Sequence, residues 1–299
     1  MKNVEQTTLW TAMVTPFNED LSVDLQSFET LLRHQESAGN GVLILGSTGE
    51  GLALSYEEKK KVLAHTCSLK LTVPVMVGIG GFNQELTLKW LKFCESQPID
   101  AYVMVTPLYA KPGAKGQIGW FKTLLDAASH PCMLYNVPSR TGCQLSIEAV
   151  ATLANHPNFW AIKEASGSAS QFENYHTAAT NIALYSGEDS LLPTLMAEGA
   201  KGLVSVTANA WPKATKKYVS KCANRPSEEL ILLWRVASEA MFNASNPIPI
   251  KKLLYLNGWI STPLVRPPLA CEDLKGDEEL RRCNELVNEW FSPKPALAR

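Results

Sequence analysis

Three observations predict an α/β fold for this chain, a (β/α)8 TIM barrel with a C-terminal helical extension. Eight short apolar, β-branched runs recur at regular spacing, helix-periodic segments separate them, and polar residues gather at the carboxyl end of one run after another. Near-continuous apolar strands, each followed by a helix, make a parallel sheet covered on both faces, and eight strands close into a barrel of about 250 residues.

The strands fall in order. LWTAMVTP (9–16) opens the barrel, and the periodic stretch LQSFETLLRHQESAG carries the chain back. GVLILGSTG (41–49) is the second strand. Ser55 and Glu58 in SYEEKKKVL then form a capping box that starts a helix. VPVMVGIG (73–80) precedes ELTLKWLKFCES, AYVMVTP (101–107) and CMLYNVP (132–138) follow, and SIEAVATLANH supplies another helix. FWAIKEAS (159–166), ALYSGED (183–189) and GLVSVTAN (202–209) complete the eight. An open dinucleotide-binding sheet is the weaker alternative, because the first strand runs into TPFNED instead of GxGxxG. Residues 1–225 are therefore assigned to the barrel. Residues 226–299, with SEELILLWRVASEAMF and PIKKLLYLNGW, are assigned to a helical extension.

Of the 299 residues, 45% are hydrophobic and 19% charged, and the formal net charge is −1. No basic stripe marks a nucleic-acid or anionic-membrane partner, which leaves a small molecule as the expected ligand. MKNVEQTTLW lacks the apolar core of a signal peptide and no stretch is long enough to span a bilayer, so the expected location is cytoplasmic. Seven scattered cysteines without CxxC spacing read as reduced thiols. Cys143 in SRTGC is the best candidate for a reactive thiol, set against a packing role.

Barrels of this class carry their chemistry at the carboxyl ends of the strands. Those ends supply Thr15, Ser47, Thr48, Glu50, Thr106, Tyr109, Tyr135, Asn136, Lys163, Glu164, Ser186, Gly187, Glu188, Ser205, Thr207 and Asn209. His34, His65 and His176 fall in helices, and His130 and His156 lie just before strands, so neither a histidine base nor a histidine metal centre is expected. Lys163 is then the informative residue. Burial disfavours a cation and frees the neutral amine for addition to a carbonyl, and alternation places the small Ala161 and Ala165 on its face. A lysine paired with a buried carboxylate is the competing reading. Tyr135 is the natural proton carrier, with Ser47 and Thr48 as its link. GSTGE offers a cradle for a carboxylate, and Arg140 a two-point contact for a second one, or else a surface ion pair.

These strings, GSTGE, VTPLY, YNVPSRTG, IKEASG and SGED followed by GLVSVTAN, resemble the dihydrodipicolinate synthase and N-acetylneuraminate lyase family of class I aldolases. The resemblance runs from about residue 8 to beyond 260. It implies a barrel with a helical C-terminal region, a homotetramer or homodimer, and no cofactor beyond a covalent imine between Lys163 and pyruvate. It implies Tyr135, Thr48 and Tyr109 as a proton relay, with Tyr109 supplied from a neighbouring subunit. Ser47 and Thr48 would hold the pyruvate carboxylate, and Gly187 and Val204 would line the pocket. Within the family, Arg140 in YNVPSRTG favours condensation of pyruvate with L-aspartate semialdehyde, toward diaminopimelate and lysine, over cleavage of sialate or another keto sugar acid. A metal-dependent aldolase and a silent keto-acid sensor are the remaining alternatives. Leu108 stands where many members of the family have a second tyrosine. The positions that match the lysine-effector pocket of feedback-inhibited members are Gly51, Leu52, Tyr56, Lys59, Phe82 and Leu86, so weak or absent control by lysine is expected.

Overall fold

The computed structural model describes residues 2–292, and it closes eight parallel strands into a barrel in sequence order, with β1 returning to β8. The elements are β1 (Leu9–Ala12), α1 (Leu25–Ala38), β2 (Gly41–Ile44), α2 (Tyr56–Ser68), β3 (Val75–Ile79), α3 (Gln84–Glu95), β4 (Ala101–Val105) and α4 (Ala114–Ala127). The second half runs β5 (Cys132–Asn136), the single turn α5 (Pro138–Thr141), α6 (Ile147–Leu153), β6 (Phe159–Glu164), α7 (Ala169–Ala178), β7 (Ala183–Ser186), α8 (Leu192–Ala197), β8 (Gly202–Ser205) and α9 (Pro212–Cys222). The extension adds α10 (Glu228–Ala240), α11 (Ile248–Leu256) and α12 (Glu278–Phe291). Residues 293–299 of the span assigned to the extension, and Met1 of the N-terminal stretch, lie outside the described residues.

Local chemistry starts the helices where the sequence places polar caps. Ser55 and Glu58 form the expected reciprocal capping box, and Asp24, Asn83, Ser146, Ser168 and Ser227 each accept a backbone N–H from the first turn. The strands are shorter than the apolar runs that predict them. The run 9–16, for example, leaves the ladder after Ala12, and its last residues build the catalytic-face loop instead.

Alternation divides the apolar side chains into two cores. Trp10, Leu43, Met76, Val103, Met133, Ala161, Tyr185 and Val204 fill the barrel interior, and a larger cluster lies between sheet and helices. The extension shares the outer cluster. Trp234 of α10 stacks on Tyr218 of α9 with ring centroids 4.3 Å apart and meets Trp290 of α12 edge-on. No helix among the described residues is long and apolar enough to cross a membrane.

Candidate active site

Lys163 projects inward near the end of β6, paired in register with Tyr135 on β5 and Tyr185 on β7. It is 5% exposed, and its Nζ lies 4.2 Å from the centroid of the Tyr135 ring. It forms no ion pair among the described residues. Strand alternation turns the next residue, Glu164, the other way, where its carboxylate accepts from Asn136 Nδ2 and from the Ser166 N–H, both at 2.7 Å. Burial pushes the Glu164 carboxyl above its ordinary range, against the pull of those bonds. Glu188 is likewise raised chiefly by burial, with Lys163 acting on it only through space.

The competing reading of a buried lysine is realised elsewhere in the chain. Lys251, fully buried on α11, gives its Nζ to Glu50 Oε1 at 2.5 Å and to the Leu264 carbonyl at 2.9 Å. Burial lowers its pKa to about 8 even with Glu50 beside it. Glu50, a strand-end candidate in the sequence, thus anchors the extension instead of facing a ligand, and its Oε2 accepts from the Arg266 N–H.

Close packing makes room for the amine. A Cβ on Gly187 would stand 2.9 Å from Lys163 Cε and 2.6 Å from Ala165 Cβ, so the chain approaches the lysine as only glycine permits. Lys163, Tyr135, Ser47 and Arg140 share one cavity of about 190 Å³, which continues past Gly80 and Leu108 to Lys59 and Trp90. That volume suits a small acid.

Arg140 stands at the mouth on α5, which Gly142 closes in the left-handed conformation. Its Nη2 donates to the Asn246 carbonyl at 3.1 Å. The GSTGE loop is held by Thr15, which donates to the Gly49 carbonyl at 2.7 Å. Thr48 is buried, and its Oγ1 accepts from Asn246 Nδ2 at 2.9 Å.

Several expected site residues stand apart. Thr48 and Tyr135 are not hydrogen-bonded to each other, and Ser47 is exposed at the rim. Tyr109 is 86% exposed, holds φ at 66° and lies outside the cavity of its own chain, its ring 6.3 Å from Phe82. Val204 is fully buried in the inner core opposite Trp10 and does not line the cavity. Much of the hydroxyl-rich rim is structural: Ser205 and Thr207 donate to the buried Asp189 at 2.5 Å each, and Ser186 caps the turn at Glu188. Cys143 is no activated thiol, because burial raises its pKa despite Gln117 and Lys111, and the sulfur packs against the Pro112 and Gln144 carbonyls.

The six effector-matching positions also separate. Gly51, Leu52 and Lys59 line the cavity, Tyr56 packs edge-on against Trp90, and Phe82 and Leu86 are exposed. Gly51 has a packing reason of its own, since a Cβ there would meet the Leu45 carbonyl at 2.0 Å. No cluster of three metal-ligating side chains occurs among the described residues.

Sequence reasoning missed Asn246, which touches both Thr48 and Arg140. The Asn-Pro pair in NPIPIK marks only a turn.

Known proteins align with this arrangement over nearly the whole chain. The profile of the Dihydrodipicolinate synthetase family matches residues 5–285. The 4-hydroxy-tetrahydrodipicolinate synthase of Francisella tularensis subsp. novicida (strain U112) is 50% identical over 285 residues, 95% of this chain and 97% of that protein. The crystal structure of a chloride-inhibited dihydrodipicolinate synthase from Acinetobacter baumannii, complexed with pyruvate, superposes with a TM-score of 0.86 at 32% identity, covering 94% of this chain and 99% of that one. A dihydrodipicolinate synthase variant described as monomeric gives a TM-score of 0.84 at 30% identity over 95% and 96% of the two chains.

Proposed function

The chain belongs to the dihydrodipicolinate synthetase family, and from that premise we propose how its residues carry out the reaction. It is a lyase of lysine and diaminopimelate biosynthesis that condenses pyruvate with L-aspartate semialdehyde to 4-hydroxy-tetrahydrodipicolinate. The observation that carries the residue assignment is a buried amine without an anionic partner, set over a phenol ring in a cavity with Arg140 at its mouth.

The neutral Lys163 nitrogen adds to C2 of pyruvate, and loss of water gives the imine. The imine draws electrons from C3, a proton leaves C3 through Tyr135, and an enamine forms. Ser47 and Thr48 hold the pyruvate carboxylate at the GSTGE loop, with Gly187 leaving space beside the lysine and Val204 backing the barrel floor. Arg140 receives the carboxylate of the semialdehyde by a two-point contact and brings its aldehyde to the enamine carbon. Carbon–carbon bond formation restores the imine. The amino group of the semialdehyde portion then displaces Lys163, which closes the ring and frees the enzyme with no added cofactor.

Tyr109 joins the relay from a neighbouring copy, in a homodimer or homotetramer. Its exposure and its position beyond its own cavity support that role. Lysine is a weak effector, because Lys59 presents a second cation beside apolar Leu52 and Leu108 where a cationic ligand needs carboxylate partners. The enzyme works in the cytoplasm. A keto sugar acid fits less well, since the cavity wall of Leu45, Ile79, Val103 and Val105 offers a polyol few partners.

Borohydride added with pyruvate tests the assignment. Reduced pyruvate should appear on the peptide containing Lys163, and the enzyme should turn over pyruvate with aspartate semialdehyde but not cleave N-acetylneuraminate. An unmodified Lys163 peptide would sink the mechanism.

A further inference from the structure

Lys59 is the third cation of the cavity and the one that the reaction does not use. Its side chain lines the same space as Lys163 and Arg140, and no aspartate or glutamate lines that space with them. Pyruvate and the semialdehyde bring one carboxylate each, the first for the GSTGE loop and the second for Arg140. Lys59 is left without one.

The acids beside Lys59 in the sequence are engaged elsewhere. Glu57 pairs with Lys60 at 3.0 Å, and Glu58 is bound by Arg266 and by the Ser55 N–H. The Lys59 side chain has no ion pair and no hydrogen bond among the described residues, and its Nζ lies 4.9 Å from the centroid of the Trp90 ring. Trp90 is 3% exposed and its indole nitrogen donates to the Gly78 carbonyl at 3.1 Å, which fixes the ring. Burial lowers the Lys59 pKa, as it does for a cation that has given up water without gaining an anion.

Around this amine the wall is apolar, with Leu45, Leu52, Val105 and Leu108. A cation beside an apolar wall matches a carboxylate that carries a short hydrocarbon tail, whereas an ammonium finds no ionic partner there.

We propose that the Lys59 end of the cavity is a subsite for a short aliphatic carboxylate without an amino group, a second molecule of keto acid among them, and that its occupancy slows the reaction at Lys163. The ligand takes up space in the one cavity that also receives both substrates. The inference rests on Lys163 as the imine lysine and Arg140 as the receptor of the semialdehyde carboxylate.

Butyrate is the probe, because it has the carboxylate and the tail but no carbonyl to form an imine. Borohydride with pyruvate first fills the Lys163 subsite covalently, and Arg140→Ala removes the other free cation, so the trapped Arg140→Ala protein isolates Lys59. Calorimetric titration should show butyrate binding to it, and adding Lys59→Met should weaken that binding about 10–100-fold, the scale of a lost hydrogen bond to a charged group. Lys59→Gln takes its place if Lys59→Met does not fold. Acetate, two methylenes shorter, should bind about 10-fold more weakly than butyrate. In the wild-type protein butyrate should inhibit turnover even with both substrates saturating, and in Lys59→Met it should not. No binding to the trapped Arg140→Ala protein, equal binding after Lys59 is replaced, or inhibition fully relieved by excess pyruvate or semialdehyde would overturn the proposal. Failure of the wild-type protein to be trapped would instead strike at Lys163, and the inference would fall with it.

Discussion

Tyr135 and Lys163 are partners in the β5–β6 ladder, and the lysine nitrogen lies 4.2 Å over the centre of the phenol ring. The ring face supplies the electron-rich surface that a nearby carboxylate supplies to Lys251. The ring holds the nitrogen without the ion pair that ties Lys251 to Glu50, so Lys163 is not locked to a carboxylate.

Tyr135→Phe keeps that ring and removes only the hydroxyl. Imine trapping should therefore survive while kcat falls about 10²–10⁴-fold, the range of a lost general acid–base group. Lys163→Ala should abolish trapping and nearly all turnover. Equal trapping loss in both variants would place the phenol in imine formation instead of later proton transfer.

Arg140→Ala removes a charge at the cavity mouth and leaves Lys163 untouched. The KM for aspartate semialdehyde should rise about 10–100-fold, in keeping with about 1.5–3 kcal/mol for hydrogen bonds to a charged group. The KM for pyruvate should change little. Steady-state kinetics with each substrate varied in turn decides the matter, and parallel rises in both KM values would count against the assignment.

Gly187→Ala drives a methyl group into Lys163 Cε and Ala165 Cβ. Overpacking should cost about 1–3 kcal/mol of stability. The displaced lysine should also react more slowly with pyruvate, seen as a lower rate of borohydride trapping in a variant whose circular dichroism is unchanged. A wild-type trapping rate would mean that the lysine reaches its substrate from a different rotamer.

L-lysine should inhibit weakly or not at all. A purified-enzyme assay run across a lysine titration is sufficient, and half-inhibition at physiological concentrations would show that a cationic effector finds partners despite Lys59 and Leu52.

At low pH the pair between Glu58 and Arg266 should matter most. Hydrogen bonds from Arg266, foremost, and the Ser55 cap hold the Glu58 carboxyl at about 2, against an ordinary 4.5. In the unfolded chain the same carboxyl protonates near its ordinary value. Its contribution is thus present above about pH 4.5 and is lost as pH falls toward 2. Arg266→Met should move the acid-unfolding midpoint, followed by circular dichroism, to higher pH by removing about 1–2 kcal/mol after solvent screening. An unmoved midpoint would show that Glu58 is held by its cap alone.

The sequence made local and periodic features legible. Alternation along FWAIKEAS put Lys163 with Ala161 and Ala165, and the Ser55 and Glu58 spacing marked a helix start that the structure reproduces. Features that depend on distant residues were hidden. Glu50 looked like a site residue beside Thr48 until Lys251, 201 positions away, claimed it. Asn246 lies 198 positions from Thr48, and nothing in its own neighbourhood announces a partner there. Thr207 and Ser205 illustrate a third limit: a hydroxyl at a strand end can serve the fold, as these do at Asp189, as readily as a ligand.

The chain also emerges from the ribosome in order, and the contacts of Asn246 set a consequence on that order. When β8 is complete, all eight staves of the barrel exist, but Thr48 and Arg140 still lack the side chain and carbonyl that hold them. The last quarter of the polypeptide is therefore what completes the contacts around the site, and a nascent chain that ends before it leaves Thr48 and Arg140 without those partners however well its strands have paired.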